Sequence, residues 1–300
     1  MPLEINHFIA FRTEQVNISC KTLLVTVFGD VVSQHGDWIW LGSLIKSLQP
    51  LGYSERLVRT SVNRLLKEDW LQMKTHGRKS FYSFTENANR HYTKAARRIY
   101  ANDSTSTKDK WLIIFTNFVE ETILPELKKQ LKWLGFSSLA SGVYAHPACS
   151  LKSLNETIEE LKLSDSVVIF DSQTHNPSSS KVLKKLVYEK WNLDQLQQKY
   201  LDLISIYGPF LKLSTLTEQQ SFALRILLIH EYRRILLNDH ELSNKMLPDG
   251  WQGHQANQLV TKLYTKLNKL SLTYINNKLE SNKGLLGKPK IEFSHRFKPH

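Results

Sequence analysis

The 300-residue chain predicts an α+β protein of three domains: an N-terminal winged helix-turn-helix, a central ferredoxin-like domain and a mainly helical C-terminal domain. Three observations carry this prediction. Residues 37–84 run helix, proline turn, arginine-bearing helix and basic hairpin; residues 110–172 run strand, helix, strand, helix, strand; beyond residue 181 the apolar spacing is helical almost throughout. Two polar stretches without apolar periodicity, 101–108 and 173–180, divide the chain as 1–103, 104–180 and 181–300.

In the first domain, Trp38, Leu41, Leu44, Ile45 and Leu48 share one face of a predicted helix over 38–48, which Pro50 and Gly52 stop. Ser54 is a good N-cap for the next helix, and Glu55 suits its positive N-terminal end. At 100° per residue Val58, Val62, Leu65 and Leu66 fall on one side of that helix. Arg56, Thr60, Asn63 and Lys67 fall on the other, flanked by Arg59 and Arg64. Arg can pair bidentately with guanine and Asn with adenine, and any of these side chains can hold a phosphate. Two strand-like runs, 70–74 and 80–84, then flank His76-Gly77-Arg78-Lys79, the basic tip of a wing. The candidate DNA contacts are therefore Arg56, Arg59, Thr60, Asn63, Arg64, His76, Arg78 and Lys79. The competing assignment is a solvated helix whose arginines pair with Glu55 and Glu68. A further helix over 85–100 closes the domain, with Ala88, Tyr92, Ala95, Ala96 and Ile99 inward.

The central domain opens on the apolar strand 111–115. A helix over 124–134, started by Pro125 and ended by Gly135, follows it. One or two strands within 136–145, a helix over 151–161 and a strand over 166–170 complete a split βαβ order. In the C-terminal domain, residues 222–230 are too apolar for a surface helix and predict its core, and 261–278 predicts a long helix with Leu263, Leu267, Leu270 and Tyr274 inward. The last twenty residues, with five Lys/Arg, predict a mobile basic tail.

Composition narrows the function. The net charge of +12 and pI near 9.5 favour an anionic partner. Lys/Arg outnumber Asp/Glu fourteen to nine in 1–103, ten to nine in 104–185 and sixteen to ten in 186–300, so the middle is the neutral part. Cys20 and Cys149 stand far apart without CxxC spacing, which fits a reducing compartment and small buried thiols. No apolar run approaches eighteen residues and no signal pattern opens the chain, so the expectation is a cytoplasmic protein without membrane association. GxSxG, Walker and GxGxxG motifs are absent, and HExxH spacing is missing, so no catalytic residue, metal site or cofactor is assigned.

Several stretches carry a family resemblance: residues 23–30, LLVTVFGD; 54–60, SERLVRT; 77–80, GRKS; 134–136, LGF, with Pro147; 230–234, HEYRR; and 247–253, LPDGWQG. In this order, over nearly the whole chain, they resemble the PaaX family of phenylacetic acid catabolon repressors. The resemblance implies a winged helix, a middle domain similar to the Cas2 fold and a helical C-terminal domain. It further implies a homodimer on a palindromic operator, released by phenylacetyl-CoA or a related aromatic acyl-CoA.

An effector pocket is then sought around His230, Tyr232, Arg233, Arg234 and Trp251. Arg233 and Arg234 can offer forked donors to CoA phosphates, and Tyr232 or Trp251 can stack on a ring. The opposing assignment has His230 and Arg234 in buried ion pairs with Glu231 or Asp239. Two other functions stay open: an acyl-CoA-binding hydrolase, and a nucleic-acid-processing module of the Cas2 type. The latter is weakened because the first central strand ends in Thr116-Asn117, with no carboxylate to hold a divalent ion. The central domain is instead expected to dimerise.

Overall fold

A computed structural model describes residues 2–101, 110–147, 151–240 and 242–298. Most of the polar stretch at 101–108 lies outside the described residues, and so does Cys149.

In chain order the elements are α1 (Pro2–Gln15), α2 (Cys20–Asp30), β1 (Ile39–Trp40), α3 (Leu41–Leu48), α4 (Glu55–Lys67), β2 (Leu71–His76), β3 (Lys79–Phe84) and α5 (Glu86–Ile99). Then follow β4 (Trp111–Phe115), α6 (Leu124–Trp133), β5 (Ser137–Ala140), β6 (Val143–His146), α7 (Leu151–Glu160) and β7 (Val168–Ser172). The remainder is α8 (Pro177–Lys190), α9 (Leu193–Tyr207), α10 (Glu218–Leu236), α11 (Gly253–Lys278), β8 (Glu280–Ser281) and β9 (Gly284–Leu285). The result is a mixed α+β chain in which helix predominates.

Two compact units form. The first gathers Met1–Asn102, Ser205–Tyr232 and Asn257–His300; the second gathers Asp103–Ile204 and Arg233–Ala256. The C-terminal part of the chain is thus shared between them.

In the first unit, α2 is almost wholly buried, with Leu23, Leu24, Val27 and Phe28 at or near zero exposure. Side chains of α4 pack onto it through Val58, Val62 and Leu65. Removing such a side chain from water contributes about 1.5–3 kcal/mol each, enough to fix the face that α4 presents outward. Gly29 permits a close approach at the end of α2, since a Cβ there would stand 1.9 Å from the Tyr92 ring of α5. The sheet order is β1-β3-β2, with β2 and β3 paired from Leu71↔Phe84 to His76↔Lys79. The two-residue turn between them places Gly77 at φ +58.

Several sequence expectations shift. Trp38 to Trp40 are not the start of a helix: Ile39 and Trp40 pair with Tyr82 and Phe81 of β3, and helix begins at Leu41. Backbone pairing to a neighbouring strand outweighs the helical spacing there. Residues 177–180 are helical rather than loop, because Asn176 caps Ser179 N and Pro177 sits in the first turn, where its missing N–H costs nothing. The closing strand of the central sheet runs over Val168–Ser172, two residues later than its apolar run indicates.

The basic tail is not loose among the described residues. Phe293 and Phe297 are buried, Phe297 N donates to Tyr100 O at 2.8 Å, and Lys290 N donates to Gln34 O at 2.8 Å. Aromatic burial outweighs the local signal of glycine and lysine.

In the second unit, β5-β6-β4-β7 form an antiparallel sheet with α6 and α7 between its strands in sequence. Leu112, Ile114, Leu127, Leu131, Leu154 and Ile158 build its core. Opposite, Ile113, Phe115, Val168 and Phe170 occupy the other side of the pleat, where Val168 and Phe170 remain 44% and 49% exposed.

Candidate nucleic-acid interface

The outward face of α4 is what its sequence spacing dictates. Ser54 Oγ accepts from Leu57 N, and the 13-residue helix that follows is about 20 Å long at 1.5 Å per residue. Arg56, Arg59, Thr60, Asn63, Arg64 and Lys67 are all exposed. Two of them have local partners: Arg59 pairs with Glu55 at 2.7 Å, and Thr60 Oγ1 donates to Arg56 O at 2.9 Å. The guanidinium groups of Arg56 and Arg64 and the ammonium of Lys67 have no acidic partner among the described residues.

The hairpin of β2 and β3 adds His76, Arg78 and Lys79, also exposed. Its tip divides into a committed and an uncommitted cation. Lys79 Nζ lies 2.6 Å from Glu280 Oε2 and 4.2 Å from the centre of the Trp40 ring, whereas Arg78 has neither kind of partner among the described residues. Lys74, lower on the hairpin, sits over Trp38 at 3.7 Å. An exposed helix and ribbon carrying cations and an amide, but few competing carboxylates, is suited to phosphates and base edges.

Beneath this surface lies a charge cluster that the sequence did not announce. Asp30 ends α2 with no exposure, and Arg225 and Arg296 converge on its carboxylate at 2.7 and 2.6 Å. Tyr100 and Tyr264 donate to the same Oδ1 at 2.7 and 3.0 Å, and Arg225 also donates to Asn268 at 3.1 Å. Burial alone pushes the Asp30 carboxyl up, but the charges of Arg225 and Arg296 outweigh it and hold the group below the usual carboxylate range. The signal was present in outline: an arginine inside the apolar run 222–230 and an acid closing the apolar run 23–29 each need a partner.

The stretch 230–234 divides between the two units. His230 Nδ1 is 2.9 Å from Thr26 Oγ1, Glu231 accepts from Arg12 at 2.6 Å and from Tyr207 at 2.7 Å, and Tyr232 OH accepts from Asn257 at 3.0 Å. These three residues are buried in the first unit. In the second unit Arg233 is buried, Arg234 is exposed and Trp251 is half-buried, edge-on to Tyr200. Asp239 accepts from Tyr200 and His254 is bonded to Asn244 at 3.0 Å. His230 and Tyr232 are thus brought together with core partners, while Arg233, Arg234 and Trp251 belong to the other unit.

Family models match three successive segments. They are the PaaX-like protein over residues 19–88, the PaaX protein central Cas2-like domain over 104–183 and the PaaX-like protein C-terminal domain over 191–277. The chain belongs to the PaaX family. It is similar to the Transcriptional repressor PaaX of Escherichia coli (strain K12), at 33% identity over 299 residues, covering 98% of this chain and 95% of that protein. A solved structure, the uncharacterized protein Rv0674 from Mycobacterium tuberculosis, gives a TM-score of 0.46 at 17% identity, covering 81% of this chain and 94% of that one. The first PaaX segment contains α2, α3, α4 and the β2–β3 hairpin, so the exposed cationic surface falls inside it.

No helix is long and apolar enough to cross a membrane among the described residues, and these residues contain no group of His, Cys, Asp and Glu able to hold a metal ion.

Proposed function

We propose that this chain is a cytoplasmic, homodimeric transcriptional repressor of a phenylacetate-type aromatic catabolic operon, released from its operator by an aromatic acyl-CoA such as phenylacetyl-CoA. The observation that carries the reading is the outward face of α4, where Arg56, Asn63 and Arg64 stand exposed beside the uncommitted Arg78 of the hairpin. Membership of the PaaX family and the likeness to a named repressor support it.

In this reading residues 38–84 are a winged helix-turn-helix. The α4 helix enters the major groove, with Arg56, Thr60 and Asn63 at base edges and Arg59 and Arg64 at phosphates. The β2–β3 wing brings His76, Arg78 and Lys79 to the neighbouring backbone. The central sheet, with strand order β5-β6-β4-β7 and two intervening helices, is ferredoxin-like, and its half-exposed face of Ile113, Phe115, Val168 and Phe170 pairs with a second copy. Two recognition helices related by a two-fold axis then meet successive major grooves about 34 Å apart, so an effector that rotates them breaks the fit. An effector binding the DNA-bound form tens-fold more weakly, about 2 kcal/mol, suffices.

The protein acts by binding, without catalysis. β4 ends at Phe115 and is followed by Thr116-Asn117, where Asn117 packs against Gly142 and neither residue is a carboxylate for metal-assisted hydrolysis. The test is binding of the purified protein to its own upstream intergenic DNA at fixed salt, with and without phenylacetyl-CoA and with free phenylacetate as control. Sequence-specific binding released by the thioester alone is the expected result; absence of specific binding overturns the reading.

A further inference from the structure

The second unit contains a cleft of about 380 Å3 beside the edge strand β5. Lys128 and Lys132, one turn apart on α6, line it together with Lys190 at the end of α8 and Lys199 on α9. No aspartate or glutamate lines it, and none of the four lysines has an acidic partner among the described residues. Four ammonium groups gathered without a carboxylate in the lining form a positive field that stands ready for a multiply charged anion.

One lining residue supplies a second, independent observation. Trp191 is 92% buried, its ring 4.2 Å from that of His240 and 5.9 Å from that of Trp111, yet its indole N–H, itself out of solvent contact, has no acceptor among the described residues. A buried donor without an acceptor is destabilising, so a ligand group that reaches it and supplies one is favoured on entry. Phe136, Tyr144 and His240 add further rings to the lining. Helix α9 begins at Leu193, two residues after Trp191, and its free N-terminal amides add to the attraction for an anion.

We infer that this cleft binds the phosphorylated, ring-bearing portion of a nucleotide-type ligand, with the four lysines holding phosphates and the Trp191 N–H donating to a ligand oxygen or ring nitrogen. A cleft of this volume takes a nucleotide-sized fragment rather than a whole acyl-CoA. The effector reading above gives the site its meaning: an acyl-CoA seats its nucleotide end here. A free nucleotide offers the same chemistry.

The experiment is calorimetric titration of the full chain, without DNA, with phenylacetyl-CoA, free CoA, ATP and phenylacetate. The variants are Lys128→Gln with Lys132→Gln, Lys190→Gln with Lys199→Gln, and Trp191→Phe, which keeps the aromatic ring and removes the N–H. Lys185→Gln, outside the cleft, is the control, and circular dichroism confirms that each variant is folded. Phenylacetyl-CoA and CoA are expected to bind with affinities within tenfold of one another, weakening as salt rises, and phenylacetate not at all. Each double lysine variant raises Kd at least tenfold and Trp191→Phe at least threefold. ATP binding as tightly as CoA assigns the site to free nucleotides; CoA binding tenfold tighter assigns it to the thioester's carrier.

The site is overturned if no nucleotide binds at millimolar concentration, or if the double variants keep the wild-type Kd. It is equally overturned if they lose DNA affinity while ligand binding is unchanged, which makes the lysines phosphate contacts for DNA. Lysine-dependent CoA binding without release of DNA keeps the site and removes the effector reading. Release of DNA by a thioester whose affinity ignores the lysines keeps the effector reading and removes the site.

Discussion

Asp30 and Arg225, 195 positions apart in the chain, meet with no solvent access, the Arg225 Nη2 2.7 Å and Nε 2.9 Å from the same Asp30 oxygen. Asp30 lies at the end of the helix on which α4 packs, and Arg225 lies within α10, so the pair ties the cationic surface to a helix far along the sequence.

Replacing Asp30 by alanine leaves Arg225 and Arg296 buried without their anion. Breaking a buried pair by removing one partner costs about 3–5 kcal/mol. The expected result is a loss of that size in the unfolding free energy obtained from urea titration. Asp30→Ala unfolding within 1 kcal/mol of wild type would sink the account of this cluster.

The same group fixes the acid limb of stability. Its folded pKa is held below the unfolded value of about 3.9, so its contribution is fully present above that value and is lost as pH falls through the folded pKa. Asp30→Asn should flatten the stability profile below about pH 4 relative to wild type. An acid limb of unchanged slope in that variant argues that other carboxylates set it.

His35 adds a step nearer neutrality. Desolvation lowers its pKa, partly opposed by the bond between its Nδ1 and Gly287 O at 2.6 Å, so burial favours the neutral ring. The stability it contributes is present above the unfolded value of about 6.5 and is lost as pH drops through the folded one. Amides of residues 287–297 should exchange faster at pH 5.5 than at pH 7.5 after correction for intrinsic rates. Equal protection at both pH values contradicts this.

Arg56→Ala and Asn63→Ala should each cost about 1–3 kcal/mol at the operator and relax its sequence preference. Competition between operator and scrambled DNA measures it. Undiminished discrimination in Arg56→Ala means that a different face of α4 reads the bases.

At the hairpin tip, Arg78→Ala should weaken all sequences alike and reduce the slope of log affinity against log salt by about 1. Lys79→Ala should do less, because Glu280 already offsets the charge of Lys79. Glu280→Gln should do the reverse and tighten non-specific binding. A larger loss in Lys79→Ala than in Arg78→Ala shows that Lys79 leaves Glu280 when DNA is bound.

What the sequence made legible was local. The cap at Ser54, the two faces of α4, the glycine turn at 77 and the strand and helix order of residues 111–172 all depend on neighbours within a few positions. What it hid was non-local. Whether Ile39 and Trp40 are helical depends on β3 forty residues later, and whether residues 290–297 are ordered depends on Gln34 and Tyr100. The acid, arginines and tyrosines around Asp30 come from five separate stretches, and the lysines of the cleft from three helices, so no spacing rule collects them.

One consequence concerns synthesis. The first unit is closed by Phe293, Arg296 and Phe297, more than two hundred residues after α4 has emerged from the ribosome. A nascent or prematurely terminated chain that stops short of residue 290 therefore displays α4 on an unfinished platform, with Asp30 missing Arg296. Chain connectivity thus sets the order of completion: a surface near the N-terminus takes its final support from residues 293–297, and incomplete translation products carry it unsupported.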